Sequence, residues 1–131
     1  MAMNTIPGGF LSLALGPATP VIDNPISAIK DIIEDLAGRV LILKGATNII
    51  VNSNGDILLI NHGSSALATA GTGDVLTGIL GTLLAQGIHI NEASLLAVYL
   101  HGECVHQYNK LIGSEGLIAS DLPAMIPYAL C

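Results

Sequence analysis

Tryptophan is absent, and aromatic residues make up only 3% of the 131 residues. A chain so poor in rings lacks the stacking platforms that hold single-stranded nucleic acid. Basic residues are scarce as well: four Lys and Arg stand against ten Asp and Glu, for a formal net charge of −6. An acidic balance repels nucleic acid and anionic lipid, so neither is expected as a partner. There are only two cysteines, Cys104 and Cys131, and their spacing matches no metal or redox motif and no disulfide framework. A cytoplasmic protein with reduced thiols is the expectation. Charged residues amount to 11% against 51% apolar ones, which excludes a disordered chain. The length suits a single domain over residues 1–131, able to bury roughly two-thirds of its unfolded surface.

A long unbroken apolar run is also lacking. Residues 1–22 carry no charge, but Pro7, Gly8, Gly9, Gly16, Pro17 and Pro20 would break a spanning helix. No basic segment precedes Phe10, so a secretory leader is not indicated. The uncharged stretch Val75 to Asn91 is interrupted by Thr77, Gly78, Gly81, Thr82, Gln86 and Gly87. It reads as a buried helix, not a membrane span.

The pattern along the chain is mixed α/β. Residues 1–27 are rich in Pro and Gly and read as an irregular amino-terminal segment. Ser27 can cap a helix to about Ala37, with Ile29, Ile32, Ile33 and Leu36 on its apolar face. Val40 to Leu43 is a buried-strand run. Thr47 to Val51 and Ile57 to Ile60 flank Asn54-Gly55, a strong hairpin signal. A loop of small residues, His62 to Gly73, leads to an apolar helix from about Asp74 to Gln86, which reads as buried nearly all round. Asn91 can cap a third helix to about Leu111, and Ser120 opens a short last one. Few strands are readable, too few for comfortable helix cover on both sheet faces. The fold class is α/β: the carboxyl-terminal half of a layered fold, with a central strand, a β-hairpin and several helices.

The informative loop runs from Ala68 to Gly78, with Gly71 and Gly73 just before a helix and Asp74 beside them. Glycines let the backbone approach a ligand closely, and the N–H groups of a helix start, with its dipole, favour an anion such as phosphate. A carboxylate beside a bound phosphoryl group can take the proton of an attacking hydroxyl. A second reading stays open: Asp74 caps the helix and the glycines make a tight turn. Two known phosphate motifs do not fit. No lysine follows the glycines, and Leu76 stands where a dinucleotide fingerprint needs its third glycine. A metal reading of His101, Cys104 and His106 lacks a fourth ligand; His101-Gly102 reads as helix packing, and His62 and His89 as loop residues.

The run Leu67-Ala-Thr-Ala-Gly-Thr-Gly-Asp-Val-Leu-Thr-Gly78 closely resembles the signature of the ADP/ATP-dependent NAD(P)H-hydrate dehydratases, of the ribokinase-like superfamily. Leu43-Lys44-Gly45-Ala46, Asn54-Gly55, Leu83 to Gly87, Ala97 to Gly102 and Leu117 to Leu122 resemble further segments of that family in order, so the resemblance spans about Val40 to Leu130. Upstream it fades. Ile6-Pro7-Gly8-Gly9-Phe10 resembles a remnant of the family's His-Pro-Gly-Glu-Phe, with Ile6 for the substrate-contacting histidine and Gly9 for the glutamate. Ser64, Ser65 and Ala66 replace the family's Asn, Pro and Gly.

The resemblance implies a partial ribokinase-like fold and a truncated member of the family. It implies an adenine-nucleotide site at Lys44, Gly45 and Ala46 and at Leu67, Ala68, Thr69, Ala70, Gly71, Thr72 and Gly73, with Asp74 as catalytic base and substrate contact. ADP or ATP would be the co-substrate, with Mg2+ as the accompanying ion. The implied substrate is NADHX or NADPHX, nicotinamide cofactors hydrated on the ring. The implied assembly is a homo-oligomer, with an epimerase domain or partner chain. Two alternatives remain at this point: a vitamin-precursor kinase of the same superfamily, or an inactive fragment. An apolar sheet edge beside Val40 to Leu43, left by a missing strand, also points to association.

Overall fold

The computed structural model describes residues 2–6, 10–14, 36, 38–45 and 47–131. Five strands form one sheet in chain order: β1 (Ala2–Ile6), β2 (Phe10–Ala14), β3 (Val40–Lys44), β4 (Asn48–Val51) and β5 (Ile57–Ile60). The amino-terminal segment is therefore not wholly irregular. β1 pairs antiparallel with β2, Ile6 facing Phe10, and β2 runs parallel to β3, Phe10 beside Val40 and Ala14 beside Lys44. The strand expected to be missing beside Val40–Leu43 is present, and β3 has a partner on each side. Dense Pro and Gly around these two five-residue runs conceal them in the sequence. The helix expected over residues 27–37 lies outside the described residues, apart from Leu36, which is buried.

β4 pairs antiparallel with both neighbours, Leu43 opposite Ile49 and Val51 opposite Ile57. The β4–β5 turn follows its sequence. Asn52 Oδ1 accepts from the N–H groups of Asn54 and Asp56, and Gly55 takes φ 88°.

Three α-helices follow: α1 (Thr72–Ala85), α2 (Ile90–Leu111) and α3 (Leu122–Ala129). The last is preceded by a 3-10 turn, Ala119–Asp121, which contains Ser120 and whose Asp121 carboxylate accepts the Ile118 N–H. α2 starts differently from the sequence expectation. His89, not Asn91, is its cap: the His89 ring Nδ1 accepts the Asn91 N–H. Asn91 Oδ1 instead reaches back to the hairpin and accepts the Ser53 N–H at 3.0 Å. That bond fixes the start of α2 against the β4–β5 turn.

The core explains the strand pattern. Val40, Ile42 and Ile50 pack on one sheet face against Leu76, Ile79, Leu80 and Leu83 of α1 and Ala93, Ala97, Val98 and Leu100 of α2. Leu41, Leu43, Ile49 and Val51 fill the other face together with Leu36. Both faces of the β3–β4 pair are thus buried, which is why these strands read as continuous apolar runs. Full burial of each such side chain contributes roughly 1.5–3 kcal/mol. α1 is not buried all round. Gly78, Thr82 and Ala85 are exposed, and a Cβ on Gly78 or Gly81 would meet nothing within 4 Å among the described residues. A third cluster, Cys104, Val105, Tyr108, Leu117, Leu122 and Met125, joins α2 to α3. Among the described residues no helix is long and apolar enough to cross a membrane.

Candidate functional site

The loop between β5 and α1 meets the end of β3. A 3-10 turn, Ser65–Ala68, is capped by the Ser64 side chain, and Thr69 ends it. Gly71 caps α1 in the left-handed conformation, φ 87°, and a Cβ there would press to 3.1 Å on the Ala119 Cβ. The positive φ favours glycine, and the approach to Ala119 leaves a Cβ little room. Ala119 lies in the carboxyl-terminal segment Leu117–Leu122, so that motif packs directly on the loop.

Because Gly71 is the cap, Asp74 is not. Its residue is third in the helix, exposed, in the first turn, and its carboxylate makes no hydrogen bond found among the described residues. A carboxylate there is favoured by the helix dipole, yet remains free for chemistry. The capping reading of Asp74 is therefore set aside.

The donor inventory is smaller than the sequence implied. The Thr72 N–H is used by Thr69 O and the Asp74 N–H by Gly71 O. The N–H groups of Ala70, Gly71 and Gly73 have no partner among the described residues. These three are the backbone donors left for an anion.

Thr72 is 1% exposed, and its hydroxyl works as a brace. Its Oγ1 lies 2.6 Å from Leu67 O and 3.0 Å from Thr69 O, folding the loop back on the helix start. Lys44 Nζ, from the end of β3, donates to the same Oγ1 at 3.3 Å. The ammonium also stands over the first turn of α1, since a Cβ on Gly73 would be 3.7 Å from it. Burial lowers the Lys44 pKa, and the Asp74 charge acts against that. A Cβ at 73 would thus sit in ordinary van der Waals contact with the ammonium. Gly45 is exposed beside Lys44, and Ala46 lies outside the described residues. Leu67 and Thr69 are half-buried, and Ala68 and Ala70 are exposed.

His101 lies behind the loop on α2. It is 2% exposed, and its Nε2 is buried without a hydrogen-bond partner. Desolvation, then the Lys44 charge, lower its pKa to about 4, with the Thr72 backbone opposing. A neutral imidazole therefore backs the Lys44–Thr72 contact. Sequence patterning placed His101 in helix packing but carried no sign that it faces the loop from behind. No group of three or more potential metal-ligating side chains is found among the described residues, including around His101, Cys104 and His106.

A family profile described as NAD(P)H-hydrate dehydratase matches residues 8–127. Over 91 residues the chain is 40% identical to a bifunctional NAD(P)H-hydrate repair enzyme of Moorella thermoacetica, covering 70% of this chain and 17% of that protein. Over 88 residues it is 38% identical to an ADP-dependent (S)-NAD(P)H-hydrate dehydratase of Bacillus subtilis, covering 67% and 32%. The chain thus spans a third or less of these relatives. Among solved structures, the Bacillus subtilis ADP/ATP-dependent NAD(P)H-hydrate dehydratase co-crystallised with ATP/Mg2+ superposes with a TM-score of 0.74 at 33% identity, over 82% of this chain and 38% of that one. The match covers most of the chain, including the loop, its lysine and its carboxylate: this chain belongs to the NAD(P)H-hydrate dehydratase family.

Proposed function

We propose that this chain is an ADP- or ATP-dependent NAD(P)H-hydrate dehydratase that holds the nucleotide phosphates at the loop between β5 and α1, within one domain that takes in residues 1–131. The observation that carries the reading is a single constellation. Three N–H groups without a partner among the described residues, of Ala70, Gly71 and Gly73, share one loop with the Lys44 ammonium over Gly73 and the Asp74 carboxylate, likewise unbonded among the described residues, at its rim. Hydrogen bonds from a cation and from aligned backbone donors suit a terminal phosphoryl group. Lys44, Gly45, Ala46 and Leu67 to Gly73 are assigned to the adenine nucleotide, and Asp74 to the substrate hydroxyl.

In this reading Asp74 accepts the proton of the ring hydroxyl of NADHX or NADPHX. The hydroxyl oxygen forms a bond to the terminal phosphorus while that phosphorus loses its bond to the bridging oxygen. The new phosphate ester then departs as phosphate with the C–O electron pair. The neighbouring ring carbon releases a proton, and the ring double bond returns. Phosphorylation turns a poor leaving group into a good one. A resident metal does not fit the donor set, since no ligand cluster is found among the described residues. Mg2+ fits as an ion bound mainly through the nucleotide's own phosphates.

The test is NADH formation from NADHX by the purified chain with ADP or ATP. Nucleotide-dependent NADH formation supports the reading, and its absence contradicts it. A cytoplasmic location accords with a soluble small-molecule substrate. The bifunctional name of the Moorella relative supports a second activity, an epimerase domain or partner chain, beside this one. Exposed Leu59, Leu95 and Tyr99 on β5 and α2 support self-association, which sedimentation over a range of concentrations would test.

A further inference from the structure

The nucleotide loop is anchored at both ends of a short segment, and only one anchor belongs to the site described above. At one end Thr72 Oγ1 bonds Leu67 O at 2.6 Å. At the other end, five residues earlier, His62 docks on α2 in three ways. Its ring stacks on Tyr99, with centroids 4.6 Å apart and planes 9° from parallel. Its Nε2 lies 3.1 Å from Glu103 Oε2. Its backbone lies in a notch that only glycine leaves open, because a Cβ on Gly102 would stand 2.6 Å from His62 O and 2.8 Å from its Cδ2.

Glu103 is itself held in place. Gln107, one helical turn on, donates to Glu103 Oε1 at 2.7 Å. That bond first, and His62 after it, keep the Glu103 carboxyl below its ordinary range. Between the anchors the chain has little slack: Ser64 Oγ accepts the Ala66 N–H, and the Leu67 N–H bonds Ser64 O. A displacement of His62 is therefore passed to Leu67 O, then to Thr72 and the donors of Ala70 to Gly73.

We infer that His62 is a positioning residue for the nucleotide loop, clamped by Tyr99, Gly102 and Glu103 so that the free N–H groups stand ready for a phosphate. The inference rests on the nucleotide reading above. Partly exposed polar contacts contribute little to global stability, so the clamp acts on loop order and ligand affinity.

The experiment compares the full chain with His62→Ala and with His62→Gln, which keeps a donor for Glu103. Three quantities are read: ADP affinity by calorimetry, hydrogen exchange of amides 66–73 without nucleotide, and melting temperature. The expected result for His62→Ala is an ADP Kd raised about five- to tenfold and faster loop exchange, at an unchanged melting temperature. His62→Gln should recover much of both losses. Unchanged affinity and exchange would overturn the inference. So would losses that follow a fall in melting temperature and are not recovered by His62→Gln. If the wild-type chain binds no ADP, the nucleotide reading fails by itself. Loop exchange then decides the clamp: faster in His62→Ala upholds it, unchanged overturns it.

Discussion

Lys44 donates a hydrogen bond to the Thr72 hydroxyl at 3.3 Å and so ties the end of β3 to the first turn of α1, across 28 residues of sequence. Thr72→Val keeps the shape and removes the hydroxyl. Leu67 O, Thr69 O and the Lys44 ammonium would each lose a partner beside a buried site. The expected loss of stability is about 1–3 kcal/mol, read by urea denaturation. Thr72→Ser, which keeps the hydroxyl, should recover most of it.

Lys44 illustrates a conflict between stability and function. Burial lowers its pKa in the folded chain. The unfolded chain therefore binds more protons between the lowered value and the ordinary one, and stability rises with pH across that window. At neutral pH the half-buried ammonium costs stability. Lys44→Met should make the chain more stable at pH 7 and flatten that alkaline rise. The same change should weaken ADP binding about tenfold or more, as a charge-assisted contact is lost.

His101 has the same sign in a lower window. Its folded pKa of about 4 lies below the ordinary value of 6.5, chiefly through desolvation. Its contribution to stability is fully present above pH 6.5 and is lost as pH falls toward 4, on the order of 3 kcal/mol over that range. His101→Gln should reduce the slope between pH 6.5 and 4. Denaturation curves at several pH values would show it. An unchanged slope would mean that other groups dominate the acid limb.

The sequence made the carboxyl-terminal part of the fold legible because its signals are local. Asn54-Gly55 predicted a turn, apolar runs predicted strands buried on both faces, and Gly71-Thr72-Gly73-Asp74 predicted a helix start. What it concealed depends on contacts distant in sequence or on atypical residues. β1 and β2 are hidden among Pro7, Gly8, Gly9 and Gly16, and only the pairing of β1 with β2 and of β2 with β3 reveals them. His89 caps α2 although histidine is not a favoured cap, while the better candidate, Asn91, is drawn off to Ser53. The Thr72 brace and the His62–Glu103 pair, 41 residues apart, leave no local pattern. Within the loop, spacing could not show that Thr72 turns inward or that the Thr72 and Asp74 N–H groups are already used.

Asp74 as a base and Asp74 as a helix cap predict different outcomes for Asp74→Asn. Gly71 holds the cap position, so Asp74→Asn removes no capping bond and should leave stability nearly unchanged. The most direct measurement is NADHX turnover with ADP or ATP by the wild-type chain and by Asp74→Asn, each with its nucleotide affinity determined. The account predicts wild-type turnover, retained nucleotide binding in the variant, and turnover reduced by about a hundredfold or more. Turnover by Asp74→Asn at the wild-type rate, or none by the wild-type chain, would contradict it.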